Sequence, residues 1–366
     1  MISVFAPSLY GKPNRLMQTL HSHWWGTGQA VADAEAAFAN WVGVQHDRCL
    51  MLNSCTSALH LAVKLFPESK RFFLPSITFV STGLAPRYEG KLIEFVEVGD
   101  DLCIDQDDVL ARLHNEKDVV IAVHMGGHAA DLSKLQGHCN IIEDCAHALG
   151  TYDHGRHVGS QNVSCFSFQA TKTLPIGDGG MLVLSEEEQR ERAAAMSWCG
   201  IRETTWERTG GQYRWQYDIE SIGYKYRAND LMASLMLDQW DGFPMVLAIR
   251  DEIAVRYGEA LEDLDWLTLP RVRPGTMCNW QEYIIRTPYR DALQEHLKAE
   301  GIATTVHYYP IHLYLPFHQI DEGIVIPQKL PRTEAIWKEL LTIPCHPMLS
   351  EEDQERVIDV IRTFPH

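Results

Sequence analysis

Short apolar runs rich in β-branched and aromatic residues recur through the first half of the chain, at Arg71–Leu74, Leu92–Val98, Val119–Val123, Cys139–Glu143, Val163–Phe168 and Met181–Leu184. Between several of them lie segments with helical patterning, such as Thr56–Leu65 and Ile104–Leu113. A strand, a helix and a second strand in succession bury their apolar faces best as a helix laid across neighbouring parallel strands. The alternation therefore predicts an α/β layer around a large, mostly parallel sheet. Ligands of such sheets gather at the C-terminal ends of the strands, so the residues that follow strands are the ones to inspect.

Beyond about Ser185 the pattern becomes helical, with helices expected near Asn229–Trp240 and Met245–Leu264 and a last one at Glu351–Thr363. The stretch between the last two alternates strand and helix on a smaller scale. This predicts a large domain over 1–244 and a smaller C-terminal α+β domain over 245–366. At 366 residues, with 45% hydrophobic and 22% charged residues, the chain has the length and composition for both. A formal net charge of −17 argues against nucleic acid or an anionic membrane as the main partner. No apolar run approaches a bilayer span, and the start of the chain lacks the pattern of a secretory signal. Nine scattered cysteines fit reduced thiols, so a cytoplasmic location is expected.

The stretch FSFQATKTLPIGDGG, Phe166–Gly180, sets Lys172 between an apolar strand and a turn with three glycines. In NIIEDCAHALG, Asn140–Gly150, an apolar strand runs into Glu143 and Asp144. A carboxylate there either caps a turn or serves a site. A lysine and an aspartate that both follow strands suit pyridoxal phosphate, which is held as a Schiff base on a lysine and paired with a carboxylate at its ring nitrogen. In MLNSCTSALHLAV, Met51–Val63, small polar residues lie between a strand end and a helix, a pattern that serves equally as an ordinary cap or as a phosphate seat. Ser167 offers a second hydroxyl. Phe79 follows a strand and is either core or a flat wall for a ring.

In order, GTGQAVADAEAAFANWVGVQH, NSCTSALHLAV, LPSITFVST, VHMGGHAADL, IEDCAHALG, FSFQATKTLPIGDGGML and IGYKYRANDLMASL resemble the DegT/DnrJ/EryC1/StrS family of sugar aminotransferases. VHYYPIHL and LTIPCHPMLSEEDQERVIDVIR match its C-terminal pattern. The resemblance implies the aspartate-aminotransferase fold (fold type I), pyridoxal 5′-phosphate as cofactor and a homodimer with shared active sites. It implies that Lys172 is the Schiff-base lysine and acid/base, and that Asp144 is the partner of the pyridine nitrogen. His147 then lies near the ring's 3-oxygen, Phe79 stacks on the ring, and Ser54, Cys55, Thr56 and Ser167 cradle the phosphate. Lys225, where the family commonly has Asn, reaches the phosphate of the partner subunit. Cys55 replaces a usual Gly, and Gln169 a frequent His or Tyr. Gln169 and His307 are the implied substrate contacts. A subgroup with histidine in place of the lysine performs dehydration, which the presence of Lys172 argues against.

The implied reaction moves an amino group from glutamate or glutamine to a keto group on a nucleotide-linked deoxy sugar. Two alternatives stay open: a keto-cyclitol or aminoshikimate-type acceptor, to which HWWGTG lends support, and a cofactor-binding regulator without turnover. No metal is expected. Cys145, His147, His154 and His157 cluster in CAHALGTYDHGRH without a CxxC pair, and the acidic GDDLCIDQDD lacks the glycine and closing glutamate of a calcium loop. Arg202, Trp206, Arg214 and Trp215 are either substrate contacts or surface residues.

Overall fold

The computed structural model describes residues 1–202, 218–318 and 329–366. Trp206, Arg214 and Trp215 lie outside them, while Arg202 pairs with Glu220 at 3.1 Å on the surface.

In chain order the strands are β1 (Cys49–Leu52), β2 (Arg71–Pro75), β3 (Leu92–Val96), β4 (Val119–Val123), β5 (Asn140–Asp144), β6 (Tyr152–Asp153), β7 (Arg156–His157), β8 (Val163–Ser167), β9 (Gly180–Val183), β10 (Thr276–Met277), β11 (Tyr283–Arg286) and β12 (Leu340–Ile343). The helices that position the site are α1 (Asn14–His21), α2 (Gln29–Val42), α3 (Cys55–Lys64), α4 (Ser81–Tyr88), α5 (Gln106–Arg112), α6 (Glu187–Ser197), α7 (Asp230–Trp240), α8 (Phe243–Leu261), α9 (Arg290–Ala299) and α10 (Glu351–Arg362).

A seven-stranded sheet runs β1-β9-β8-β5-β4-β2-β3. The pairs from β8 across to β3 are parallel, and β9 alone runs against its two neighbours. Every residue of β1, β4 and β9 is buried, as strands covered on both faces must be, and this is why their sequences are continuous apolar runs rather than alternations. Phe38, Phe166 and Phe168 anchor the core on one face, where α2 and α7 lie, and Leu61, Phe72 and Ile121 anchor the other under α3. Helix starts follow local capping: Ser54 accepts from Ser57 N–H ahead of α3, Asn229 from Met232 ahead of α7, and Ser350 from Asp353 ahead of α10. This is the α/β layer around a mostly parallel sheet expected from the alternating pattern.

A second, two-stranded sheet pairs β11 with β12 antiparallel. Tyr257, Tyr283, Leu297 and Ile361, from α8, β11, α9 and α10, share its core. The division expected at 244/245 falls inside the first turn of α8. Arg250 on this helix is buried, and its guanidinium donates to the carbonyls of Trp280 (2.8 Å), Gln281 (3.2 Å) and Cys345 (2.6 Å). It ties the helix to the segment that enters β11. Among the described residues no helix is long and apolar enough to cross a membrane.

The hairpin between β8 and β9 carries Lys172. Its ladder continues past the strands, with Phe168 N–H donating to Gly179 O (3.0 Å) and Ala170 N–H to Gly177 O (2.8 Å). Gly177 closes the tip at φ +96°, a region that side chains disfavour. Gly180 is needed for a different reason: a Cβ there would lie 2.5 Å from the Ser54 carbonyl carbon and 2.6 Å from Cys55 N. Strand β9 thus abuts the start of α3, backbone against backbone. Gly180→Ala is expected to cost about 1–3 kcal/mol of stability, because neither backbone can yield without moving a core element. Urea denaturation of the purified variant checks this.

Candidate active site

The C-terminal ends of β1, β2, β5 and β8 open into one cavity of about 430 Å³. That volume suits a cofactor with its substrate. Its lining contains Ser54, Cys55, Thr56, Phe79, Asp144, His147, Ser167, Gln169 and Lys172, so nearly all the residues expected from the sequence meet in one place.

Asp144 ends β5 and is buried. Its Oδ2 accepts from Thr82 Oγ1 at 2.8 Å and its Oδ1 from Ala146 N–H at 3.2 Å. Burial raises its pKa, while Thr82, Ala146 and the positive charge of Lys172 oppose the rise. Lys172 sits at the hairpin tip, half-buried against the cavity. Burial lowers its pKa, and Glu282, then Asp144, pull it back up. Such a lysine offers a free amine more readily than one in water.

His147 is buried beyond Asp144. Its Nδ1 accepts from Gly126 N–H at 3.3 Å, which leaves the proton on Nε2, and Nε2 meets Tyr308 Oη at 3.2 Å. Burial, then Lys172 and His307, push its pKa well down, so it stays neutral and donates. Phe79 is 56% exposed and stands as a wall, with its ring centroid 6.1 Å from that of Tyr308.

The polar end of the cavity is the start of α3. Ser54 Oγ caps Ser57 N–H, and the first amides of a helix have no intrahelical acceptor, so they face whatever sits there. Thr56 Oγ1 pairs with Ser81 Oγ at 2.7 Å, which brings a hydroxyl from α4 to the same end. Ser167 and Asp178 complete the rim. Cys55 points into the cavity as a neutral thiol, since burial and Asp144 raise its pKa well above the ordinary value.

Two expected residues stand apart. Lys225 is exposed and does not line the cavity. Its Nζ lies 3.5 Å over the Trp198 ring, while its carbonyl accepts from Asn53 Nδ2 at 3.2 Å. Its backbone therefore flanks the entry to α3, and its amine rests on the Trp198 ring rather than in the cavity. His307 is buried behind Tyr308 rather than on the cavity surface, with Nδ1 2.9 Å from Thr342 Oγ1. The residues missed from the sequence are Ser81, Thr82 and Tyr308. Ser81 and Thr82 begin α4 directly after the stretch that yielded Phe79, and a helix-start Ser-Thr pair beside a site aromatic is the signal that marked them.

His124, Glu143 and Cys145 form the metal-like grouping found among the described residues, but their donors are already engaged. His124 pairs with Glu143 at 2.9 Å and accepts from Ala130 N–H at its other nitrogen. Glu143 also accepts from Gly159 N–H and Asn162. This knot ties the ends of β4 and β5 together beneath Asp144.

A buried aspartate and a pKa-lowered lysine share one cavity of this sheet beside a helix start. The family model of the DegT/DnrJ/EryC1/StrS aminotransferase family matches residues 12–362, and the chain belongs to that family. It is 32% identical over 362 residues to the spore coat polysaccharide biosynthesis protein SpsC of Bacillus subtilis (strain 168), covering 94% of this chain and 92% of that one. Among solved structures it is similar to the sugar aminotransferase CalS13 from Micromonospora echinospora, at 25% identity and a TM-score of 0.90, covering 99% of this chain and 100% of that one. It is also similar to S. venezuelae DesV, solved in complex with a ketimine intermediate, at 29% identity and a TM-score of 0.86, covering 95% and 92%.

In the chain without cofactor, Asp144 is a liability. Because its pKa is raised by burial, the folded state binds this proton more tightly than the unfolded state. Stability then falls as pH rises from the ordinary carboxylate range through the raised value. Cofactor-free Asp144→Asn is expected to melt about 1–2 °C above its parent near pH ~8 and to lose that advantage toward pH ~3. Its turnover with cofactor should drop roughly 10²–10³-fold. Calorimetry across pH and a standard rate assay read the two effects.

Proposed function

We propose that this protein transfers an amino group from glutamate or glutamine to a keto group on a nucleotide-linked deoxy sugar, with pyridoxal phosphate as its cofactor. The observation that carries the reading is the meeting of Lys172 and Asp144 on one cavity with a polar helix start at one end and an aromatic wall beside it. A bound pyridoxal phosphate would supply an electron sink for the carbon next to the amine.

The residues present fit that group. Asp144, held by Thr82, would keep a proton on the ring nitrogen. The amides at the start of α3, with Ser54, Thr56, Ser81 and Ser167, would hold the phosphate, and Cys55 would press on it as an uncharged side chain. Phe79 would cover one ring face. His147 would orient the ring's oxygen from the side that Tyr308 closes. Lys172 Nζ would hold the cofactor and then take up a proton from the carbon that bears the amine. Gln169 stands at the rim, where an acceptor would meet it, and His307 would act from behind Tyr308. The sugar and polysaccharide names of CalS13 and SpsC support the acceptor class, and the ketimine in the DesV structure supports the cofactor.

Among the described residues Lys172 is the one lysine in the lining, and none of the lining residues is an arginine. A phosphate dianion, the carboxylates of a donor and a nucleotide diphosphate need more positive charge than that. In the reading proposed here, Lys225 of a second copy supplies part of it across a dimer interface. The exposed apolar side chains of Met17, Leu20, Trp25 and Ile222 support a covering partner. The division into a larger unit over 1–244 and a smaller one over 245–366 belongs to the same proposal.

Borohydride reduction of the yellow protein should fix the cofactor on the peptide that contains Lys172. A panel of nucleotide keto sugars and keto cyclitols, assayed for 2-oxoglutarate formation from glutamate, should show turnover with the sugars. Labelling of another lysine, or turnover confined to cyclitols, would refute the reading. Lys172→Ala should lose at least about 10³-fold in turnover. Mixing Lys172→Ala with Lys225→Ala subunits should raise activity at limiting cofactor above either parent, since each mixed dimer regains one intact site.

A further inference from the structure

Glu282 is 3% exposed and lies directly before β11. Its main chain is held on two sides. Glu282 N–H donates to Gly126 O at 3.1 Å, and Arg250 grips the carbonyls of the two residues before it. Gln281, also buried, donates through Nε2 to the carbonyl of Thr171 at 2.9 Å and to Glu282 Oε1 at 3.2 Å. Thr171 is the residue before Lys172. The other carboxyl oxygen, Oε2, lies 3.8 Å from His307 Nδ1, the one ion-pair contact of Glu282 within 4.0 Å among the described residues. The carboxyl group is thus carried, buried, to the underside of the Lys172 turn, and among the described residues no arginine or lysine pairs with it within 4.0 Å. A buried carboxylate of this kind draws positive charge onto the basic groups around it.

We propose that Glu282 is a positioning residue that keeps a proton available on the Lys172 amine, acting from behind the cavity wall. This rests on the reading of Lys172 as the reactive amine. The other groups that face Lys172 do not take this role. Asp144, from β5, is engaged by Thr82 and Ala146 and would be claimed by the ring nitrogen. Cys55, from α3, and Tyr308 are neutral, because burial pushes both pKa values well up. His147 and His307 are held neutral by burial. Asp178, on the same loop, lies exposed at the rim. Burial draws Lys172 toward the free amine, and Glu282 is the strongest of the charges that oppose it, ahead of Asp144. An amine that must both accept and release a proton works best when its pKa lies near the working pH, and Glu282 opposes the burial that would otherwise carry the pKa of Lys172 further down.

The test measures the proton affinity of Lys172 directly. The full-length chain, freed of cofactor, is pulse-labelled with acetic anhydride across pH, and acetylation of the Lys172 peptide is read by mass spectrometry. Glu282→Gln is expected to lower the midpoint by about one pH unit. Well below both midpoints this appears as roughly tenfold more labelling than in the parent. Glu282→Asp keeps the charge but withdraws it, and is expected to lower the midpoint by a smaller step. It also serves if the Gln variant does not fold, as melting curves will show. An unchanged or raised midpoint in the folded variants overturns the proposal. The labelling requires no turnover. A shifted midpoint in a protein inactive on every acceptor would therefore refute the proposed function and leave the role of Glu282 standing, and the reverse outcome is equally distinct.

Discussion

The site depends on one unfavourable act, the burial of the Asp144 carboxyl at the end of β5. A carboxyl group removed from water must find donors, shed its charge or be balanced by a cation. The structure provides Thr82, the amide of Ala146 and the nearby lysine. Each comes from a different element: the start of α4, the turn after β5 and the tip of the β8–β9 hairpin. The knot of His124, Glu143 and Asn162 below fixes the strand end itself. The parallel sheet is what brings these elements together, because β2, β5 and β8 point their C-terminal ends the same way.

Much of this was legible in the sequence because it is local. Strand and helix positions follow from apolar runs and caps, and β2, β4 and β5 lie within a residue of their expected bounds. Lys172, Asp144 and the Ser54–Thr56 stretch declare themselves by following strands. Thr82 and Tyr308 do not, since their roles come from contacts across 62 and 161 positions. Glu282 was hidden for the same reason: a lone acid before a short strand looks like any other until the fold sets it beneath a lysine. Lys225 is the opposite case. Resemblance singled it out, yet within one chain its amine rests on Trp198.

The large sheet and the two-stranded sheet reach the site through different chemistry. The large sheet delivers its residues at strand ends, fixed by core packing. The smaller one delivers Gln281 and Glu282 through a segment anchored by Arg250, whose donors go to backbone carbonyls rather than carboxylates. Those carbonyls do not titrate, so the grip on this segment does not loosen as nearby acids take up protons.

The contact of Gly180 with the Ser54–Cys55 backbone makes β9 a spacer of fixed length. One end of it touches the proposed anion seat at the start of α3, and from the same end springs the loop that carries Lys172, the proposed reactive amine. The distance between seat and amine is therefore set by the hairpin, with Gln281 holding the Thr171 carbonyl beside it. Lengthening the loop between Phe168 and Gly179 would move the amine and leave the seat in place. Such a change would retune which cofactor length the cavity accepts without rebuilding the anion site, and descent with altered loops offers a simple route to new chemistry on this sheet.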